Sequence, residues 1–424
     1  MSEIETKCIQ EGYVPANGEA RVLPIYQSTT FRYDSVDTLG DLFDLKTSGH
    51  FYTRLSNPTN EAVEKKLAAL EGGVGAMVTA SGQSAALIAI TNIASAGDHI
   101  ISASAIYGGT FNLFNVTLRK LGIDTTFVNV NATPEEIQAL IRPNTKAIFG
   151  ETITNPSLDV LDIEKFAQVA HKNGIPLIVD NTFPTPILCR PFEFGADIVM
   201  HSTSKFLDGH AVVLGGAIVD SGRFDWQASA DRFPGLTQPD ASYHGIVYTD
   251  TFGEAAYITK ARVQMMRDFG AQMSPMSAFI LNMNMETLHL RMQRHCENAQ
   301  KVAEYLQQHE KIAWVNYPGL PDNPYYALAR KYLPKGCSAV IAYGVKGGKA
   351  AAKQFMEHLK LASLEIHVAD IRTCCLHPAS TTHRQLTDEQ LVQAGVSPDL
   401  IRMSVGLENV KDIIADIERA LKTV

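Results

Sequence analysis

Between residues 61 and about 220, short apolar runs recur along the chain: GAMVTA, DHIISAS, TTFVNV, KAIFGET, PLIVDN and DIVMHS. Stretches of helical periodicity separate them, such as IEKFAQVAHKNG, and an amphipathic helix, NEAVEKKLAALEGG, closed by Gly72, opens the series. The alternation predicts a mostly parallel sheet with helices on both faces. Residues 1 to about 60 carry turn and polar signals (VPANGEARVLP, SNPTN) without sustained periodicity, and read as an extended arm. Residues 225 to 260 break the rhythm with RFPGLTQPDASYHGIVYTDTFG, which reads as a long surface excursion. Beyond it, METLHLRMQRHCENAQKVAEYLQQH predicts a long helix, and SAVIAYGV and ENVKDIIADIERALKTV predict a strand and a C-terminal helix. The expected organisation is an arm (1–60), a large α/β domain (61–285) holding the excursion, and a smaller α/β domain (286–424). No internal repeat or low-complexity tract interrupts it.

Composition narrows the class without choosing a function. The 424 residues exceed what one growing core accommodates, and 45% hydrophobic with 19% charged residues is ordinary for a globular protein. A net charge of -8 gives no overall positive field for nucleic acid or anionic lipid. No apolar run approaches the ~18 residues of a membrane helix, and MSEIETKCIQ has the marks of neither a secretory signal nor a transit peptide. Cys8, Cys189, Cys296, Cys337, Cys374 and Cys375 lack metal-ligand spacing, which suits reduced thiols in a cytoplasm and no metal.

The chemistry-bearing residues sit where apolar runs end. Asp180 closes the run Pro176 to Val179, and Lys205 follows Ala196 to Met200 in HSTSKFLDGH. Ligands of open α/β sheets lie outside the carboxyl ends of the strands, so an acid and a lysine from two such ends can reach one molecule. Taken singly, Asp180 is also a turn cap and Lys205 a solvated charge. In TASGQSAALIAI, Ser81, Gly82 and Gln83 leave a strand and start a helix, which makes an anion site or an ordinary N-cap. Tyr52 and Arg54 of YTRLSNPTN alternate on one face, suited to a phosphate or to a surface ion pair. Ser202 and Ser204 directly precede the lysine, and Tyr107 in SAIYGGT belongs either to a site or to the core. Together these residues ask for one ligand with a phosphate, a carbonyl for Lys205 and a ring nitrogen for Asp180. Pyridoxal 5'-phosphate has all three: its aldehyde condenses with a lysine amine, and a carboxylate keeps its ring nitrogen protonated.

In order and separation, YTRLSNPT, SGQSA, YGGT, ETITNPSL, VDNTF, STSK, HPASTTH and IRMSVGLE resemble the Cys/Met-metabolism family of pyridoxal-phosphate enzymes, from about Leu23 to the C-terminus. PDASYHGIVY, HPASTTHRQL and AGVSPDLIRMSVGLE are most similar to its O-acetylhomoserine sulfhydrylase subgroup. The resemblance implies an aspartate-aminotransferase-like (fold type I) α/β architecture and a homotetramer built as a dimer of dimers. It implies that Lys205 bonds the cofactor and moves protons, that Asp180 pairs with the ring nitrogen, and that Gly82, Gln83, Ser202 and Ser204 hold the phosphate. Tyr52 and Arg54 would reach that phosphate from a neighbouring subunit. Tyr107 would stack on the ring and act at the leaving group, Asn155 would lie near the ring hydroxyl, and Arg402 would clamp the substrate carboxylate. His367 departs from the Ser or Asn usual in the family at that place, beside the carboxylate. The implied reaction is γ-replacement on O-acetylhomoserine by sulfide or a thiol, giving homocysteine or methionine. A methionine or cystathionine γ-lyase or γ-synthase of the same family would use the same residues. The methionine γ-lyases carry Cys in the third place of YGGT, where this chain has Gly109. A cofactor-binding regulator without catalysis is the alternative from another class, and intact Lys205, Asp180 and Arg402 argue against it.

Overall fold

The computed structural model describes residues 2–381, 384 and 397–424. Its larger sheet has seven strands: β1 (Gly75–Thr79), β2 (His99–Ala103), β3 (Asp124–Val128), β4 (Thr145–Glu151), β5 (Leu177–Asp180), β6 (Ile198–His201) and β7 (Gly216–Asp220). They lie in the order β1-β7-β6-β5-β4-β2-β3, and every neighbouring pair is parallel except those of β7. The six runs read as strands are therefore strands. β7 was not among them, because GAIVD follows the lysine loop without an intervening helix and returns antiparallel. β1 and β6 both pair antiparallel to β7, so their carboxyl ends share one edge with those of β2, β4 and β5. All residues of β2, β5, β6 and β7 are buried, since helices cover both faces, and this is why they appear in sequence as continuous apolar runs.

Local signals set the helices that frame this edge. Asn57 caps the helix Pro58–Glu71 by accepting from the Thr59 amide, Pro58 sits in its first turn, and Gly72 ends it at φ 81°, where a side chain would be strained. Ser81 caps the helix Gly82–Thr91 through the Ser84 amide.

A second sheet of five strands joins β8 (Ile312–Asn316), β9 (Val340–Val345), β10 (Ser363–Leu364), β11 (Cys374–Leu376) and β12 (Leu400–Ser404) in the order β10-β11-β12-β9-β8. The helices Leu288–Gln308 and Val410–Leu421 belong to this half; the long helix starts later than its sequence pattern because a separate helix, Pro275–Glu286, precedes it.

Two expectations need correction. The first 60 residues are not uniformly extended: Ile4–Gln10 and Val36–Phe43 are helices, and Cys8 of the first is fully buried. Residues 225–260 are not a surface loop either. They fold into short helical turns whose Trp226, Phe233, Tyr248 and Tyr257 are buried, with Trp226 stacked on Tyr257 at 5.6 Å. Pro and Gly made the stretch read as a loop, while its aromatics supply the apolar surface that packs it down.

Candidate active site

A cavity of about 740 Å³ opens at the carboxyl ends of the large sheet's strands. Its wall brings together Gly82, Gln83, Tyr107, Asn155, Asp180, Ser202, Ser204, Lys205, His367 and Arg402. Tyr52 and Arg54 do not line it in this chain. Tyr52 is 41% exposed, the Arg54 guanidinium lies 5.2 Å over its ring, and Arg54 donates to the Arg267 carbonyl. The later part of HPASTTHRQL (382, 383, 385 and 386) and the start of AGVSPDLIRMSVGLE (394–396) lie outside the described residues.

The floor is a pair of carboxyls. Glu151 and Asp180 end β4 and β5 and face each other in the parallel register. Glu151 accepts from the amides of Tyr107 at 2.6 Å and Asn155 at 3.1 Å, so it fixes both residues. Both of Asp180's bonds, from the amide and hydroxyl of Thr182 at 2.9 and 2.5 Å, fall on Oδ1, which leaves Oδ2 for a further donor. Burial raises both acids, and Asp180 beside it pushes Glu151 well above the usual carboxylate range. Two such acids cannot both ionise cheaply, so the pair favours a cation over Asp180 and a protonated Glu151. Glu151 was missed in sequence, although it closes KAIFGE just as Asp180 closes its own run.

The cradle stands opposite. A Cβ on Gly82 would lie 2.7 Å from Ser202 Cβ, so the bare backbone is what lets the helix start meet the lysine loop. With the Ser84 amide taken by the Ser81 cap, the Gly82 and Gln83 amides at the helix start suit an anion. The Ser202 amide donates to the Thr182 hydroxyl at 2.8 Å, and Ser204 Oγ exchanges bonds with Gly215 at 2.9 and 3.2 Å. The Gln83 side chain accepts from the Thr110 hydroxyl at 3.2 Å.

Lys205 Nζ lies 3.3 Å from His367 Nδ1. Burial, with Arg402 adding repulsion, brings the lysine down to about 8, so about a tenth of the amine is uncharged at pH 7 and the share rises steeply just above it. Arg402, in the middle of β12, is buried at 7% exposure; it donates to Asn155 Oδ1 at 3.1 Å and to the carbonyls of Ile366 and His367 at 3.0 and 3.4 Å. Tyr107 caps the helix Gly108–Asn112 at 49% exposure. A Cβ on Gly109 would come within 2.5 Å of its ring, so that ring position depends on the glycine.

These groups fit a phosphorylated pyridine aldehyde: an amine of lowered basicity for the carbonyl, a carboxylate with a spare oxygen for the ring nitrogen, and amides with hydroxyls for the phosphate. The fold and the cavity together define a pyridoxal-phosphate enzyme built on a mostly parallel sheet. The chain belongs to the Cys/Met metabolism PLP-dependent enzyme family, whose model matches residues 5–422. It is 47% identical over 420 residues to a homocysteine synthase of Schizosaccharomyces pombe, covering 99% of this chain and 98% of that one. An O-acetyl-L-homoserine sulfhydrylase of Leptospira meyeri is 46% identical over 430 residues, covering 99% of this chain and 97% of the relative. A crystal structure named as an O-acetylhomoserine (thiol)-lyase of Campylobacter jejuni, which carries a pyridoxyl-lysine-5'-monophosphate, superposes with a TM-score of 0.95 at 36% identity, over 99% of this chain and 100% of that chain.

Proposed function

We propose that the enzyme catalyses γ-replacement on O-acetyl-L-homoserine: sulfide or a small thiol takes the place of acetate, giving homocysteine or methionine. The observation that carries the reading is the shared cavity, in which the Arg402 guanidinium from the middle of a strand of the second sheet meets the Lys205 amine beyond the end of a strand of the first. Whole-length identity to relatives named for this activity supports it.

When bound, the cofactor supplies an electron sink for negative charge at the amino acid's α carbon. Arg402 grips the substrate carboxylate, its planar fork fixing orientation as a single point charge would not. Lys205 would take the α proton as a free amine, give it up to the electron-rich cofactor, and so regenerated take a β proton, which frees the γ position to expel acetate. With the cofactor bound, Asp180 would keep a proton at the ring nitrogen, Asn155 would serve the ring hydroxyl, and Gly82, Gln83, Ser202 and Ser204 would hold the phosphate. Tyr107 would cover the ring and serve as acid or base at the departing acetate. Tyr52 and Arg54, remote from this chain's own cavity, serve the phosphate of a neighbouring subunit, within a homotetramer. We assign the cofactor to residues 61–285 and the carboxylate clamp to residues 286–424. Among the described residues no helix is long and apolar enough to cross a membrane, and six free, buried cysteines suit a cytoplasmic enzyme.

The glycine at 109 argues against the γ-lyase alternative, since the methionine γ-lyases carry Cys in that place and a Cβ there would lie 2.5 Å from the Tyr107 ring. The test is to measure homocysteine and 2-oxobutyrate together, with O-acetylhomoserine and ample sulfide. Homocysteine should dominate; mostly 2-oxobutyrate, or a preference for methionine as substrate, would replace this reading with the lyase.

A further inference from the structure

Resting on the reading that a substrate carboxylate sits at Arg402, we propose that His367 is the base that takes a proton from the incoming amino acid's α-ammonium. An amino acid enters as a cation at nitrogen, and its nitrogen must lose one proton before it can take the lysine's place. The site of that exchange is marked by Lys205 Nζ, and the imidazole stands beside it, with Nδ1 at 3.3 Å. The same residue touches the carboxylate clamp, since Arg402 Nη2 donates to the His367 carbonyl at 3.4 Å. His367 thus spans the two points, carboxylate and amine, that any α-amino acid presents.

The ring is in the right form for the task. While Lys205 is charged it can only donate to Nδ1, and the ring then carries its hydrogen on Nε2. That nitrogen is buried and has no hydrogen-bond partner among the described residues. Burial and the Lys205 charge hold the imidazole below its ordinary value, against weaker pulls from Asp370, Glu365 and Asp208. Arg402 touches the residue only at its carbonyl, and the Cys374 thiol, which donates to the same carbonyl at 3.5 Å, is held neutral by burial. His367 is therefore neutral at pH 7 and free to accept.

The proton movements balance over a turnover. One N–H bond of the substrate ammonium breaks and an Nδ1–H bond forms, moving the positive charge onto the imidazole. That charge, next to Lys205, favours the uncharged amine once the lysine is displaced, which is the form that must then act as base. When the product's amino group leaves, it takes the proton back from Nδ1, and the ring is neutral again. No oxidant or other reactant is needed.

The experiment mixes the cofactor-loaded enzyme rapidly with L-norleucine, an amino acid without a γ leaving group, and follows the change in visible absorbance from pH 6.5 to 10. The assay is blind to whether sulfide replaces acetate, so it can fail or succeed independently of the proposed reaction. In the native enzyme the combination rate should stay nearly flat from neutral pH upward. In His367→Gln it should fall about 100-fold at pH 7, the usual scale of a lost general base, and recover roughly tenfold per pH unit until the amino acid's own ammonium titrates. A variant as fast as the native enzyme at every pH would overturn the proposal. So would one slowed by a constant factor at every pH, since that is the signature of lost placement alone. His367→Asn, which also lacks a base, is measured in parallel and should give the same profile where the Gln variant fails to load cofactor.

Discussion

The cavity has two halves that are built differently. Its cofactor half, Gly82, Glu151, Asp180, Ser202, Ser204 and Lys205, stands at or just beyond the carboxyl ends of neighbouring strands of one sheet, so backbone pairing sets the spacing, as in the Glu151–Asp180 register. Its substrate half, Arg402 and His367, comes from the second sheet and from the connection between β10 and β11, where Ile366 is 74% exposed. Arg402 is tied to that connection through the carbonyls of Ile366 and His367. A ligand that never leaves can be held by a rigid sheet edge, whereas one that enters and departs each turnover needs a wall built partly from a rim. The difference predicts that damage to the first half costs cofactor chemistry, and damage to the second costs substrate handling with cofactor retained.

The largest effect concerns the completeness of the cofactor half. Lys205→Ala and Arg54→Ala should each lose nearly all activity if Arg54 serves the neighbour. Mixing the two inactive proteins should restore about a quarter of native activity, because half of randomly formed dimers are mixed and one of their two sites is intact. No recovery after verified subunit exchange would place Arg54 outside the site. Next, Arg402→Lys should lower kcat/KM about 100-fold, through both a higher KM and a lower kcat, since a point charge no longer orients the substrate. Its visible absorbance should remain, and a larger share of O-acetylhomoserine should emerge as 2-oxobutyrate; loss of cofactor in this variant would erase the distinction between the halves. The smallest effect is one of pH. Because Lys205 is lowered to about 8, its uncharged form grows as pH rises through that value, so cofactor-free protein should capture pyridoxal phosphate several-fold faster at pH 8.5 than at 7. A rate still climbing tenfold per unit above pH 9.5 would mean an ordinary, solvated lysine.

The two halves were also unequally legible in sequence. Lys205, Asp180 and Gly82 could be read because each follows a short apolar run, and one parallel sheet brings such ends to one edge without further information. The same logic applied to KAIFGE would have found Glu151. Arg402 could be flagged only as a charge inside LIRMSVGL, and its partners Asn155 and Ile366 lie 247 and 36 residues away along the chain. Contacts of that kind depend on how two sheets dock, which periodicity does not encode. The misreading of residues 225–260 has a related cause: turn residues announce themselves locally, while the burial of Trp226 against Tyr257 is a tertiary fact.

The central claim is that one amine in this cavity, Lys205, is the lysine the cofactor bonds. A second lysine offers a strict control: Lys260 lines a separate cavity of about 380 Å³, is buried, and is likewise lowered to about 8. Asp98, Asp240, Thr91 and Ser95 line that cavity too, but Lys260 Nζ is tied to the Asn92 carbonyl at 2.7 Å. Borohydride reduction of the loaded enzyme, followed by digestion and mass spectrometry of the peptides, reads the bonded lysine directly. The account predicts a pyridoxyl phosphate adduct on Lys205 at about one per chain and none on Lys260; an adduct on Lys260, or none on Lys205, would contradict it.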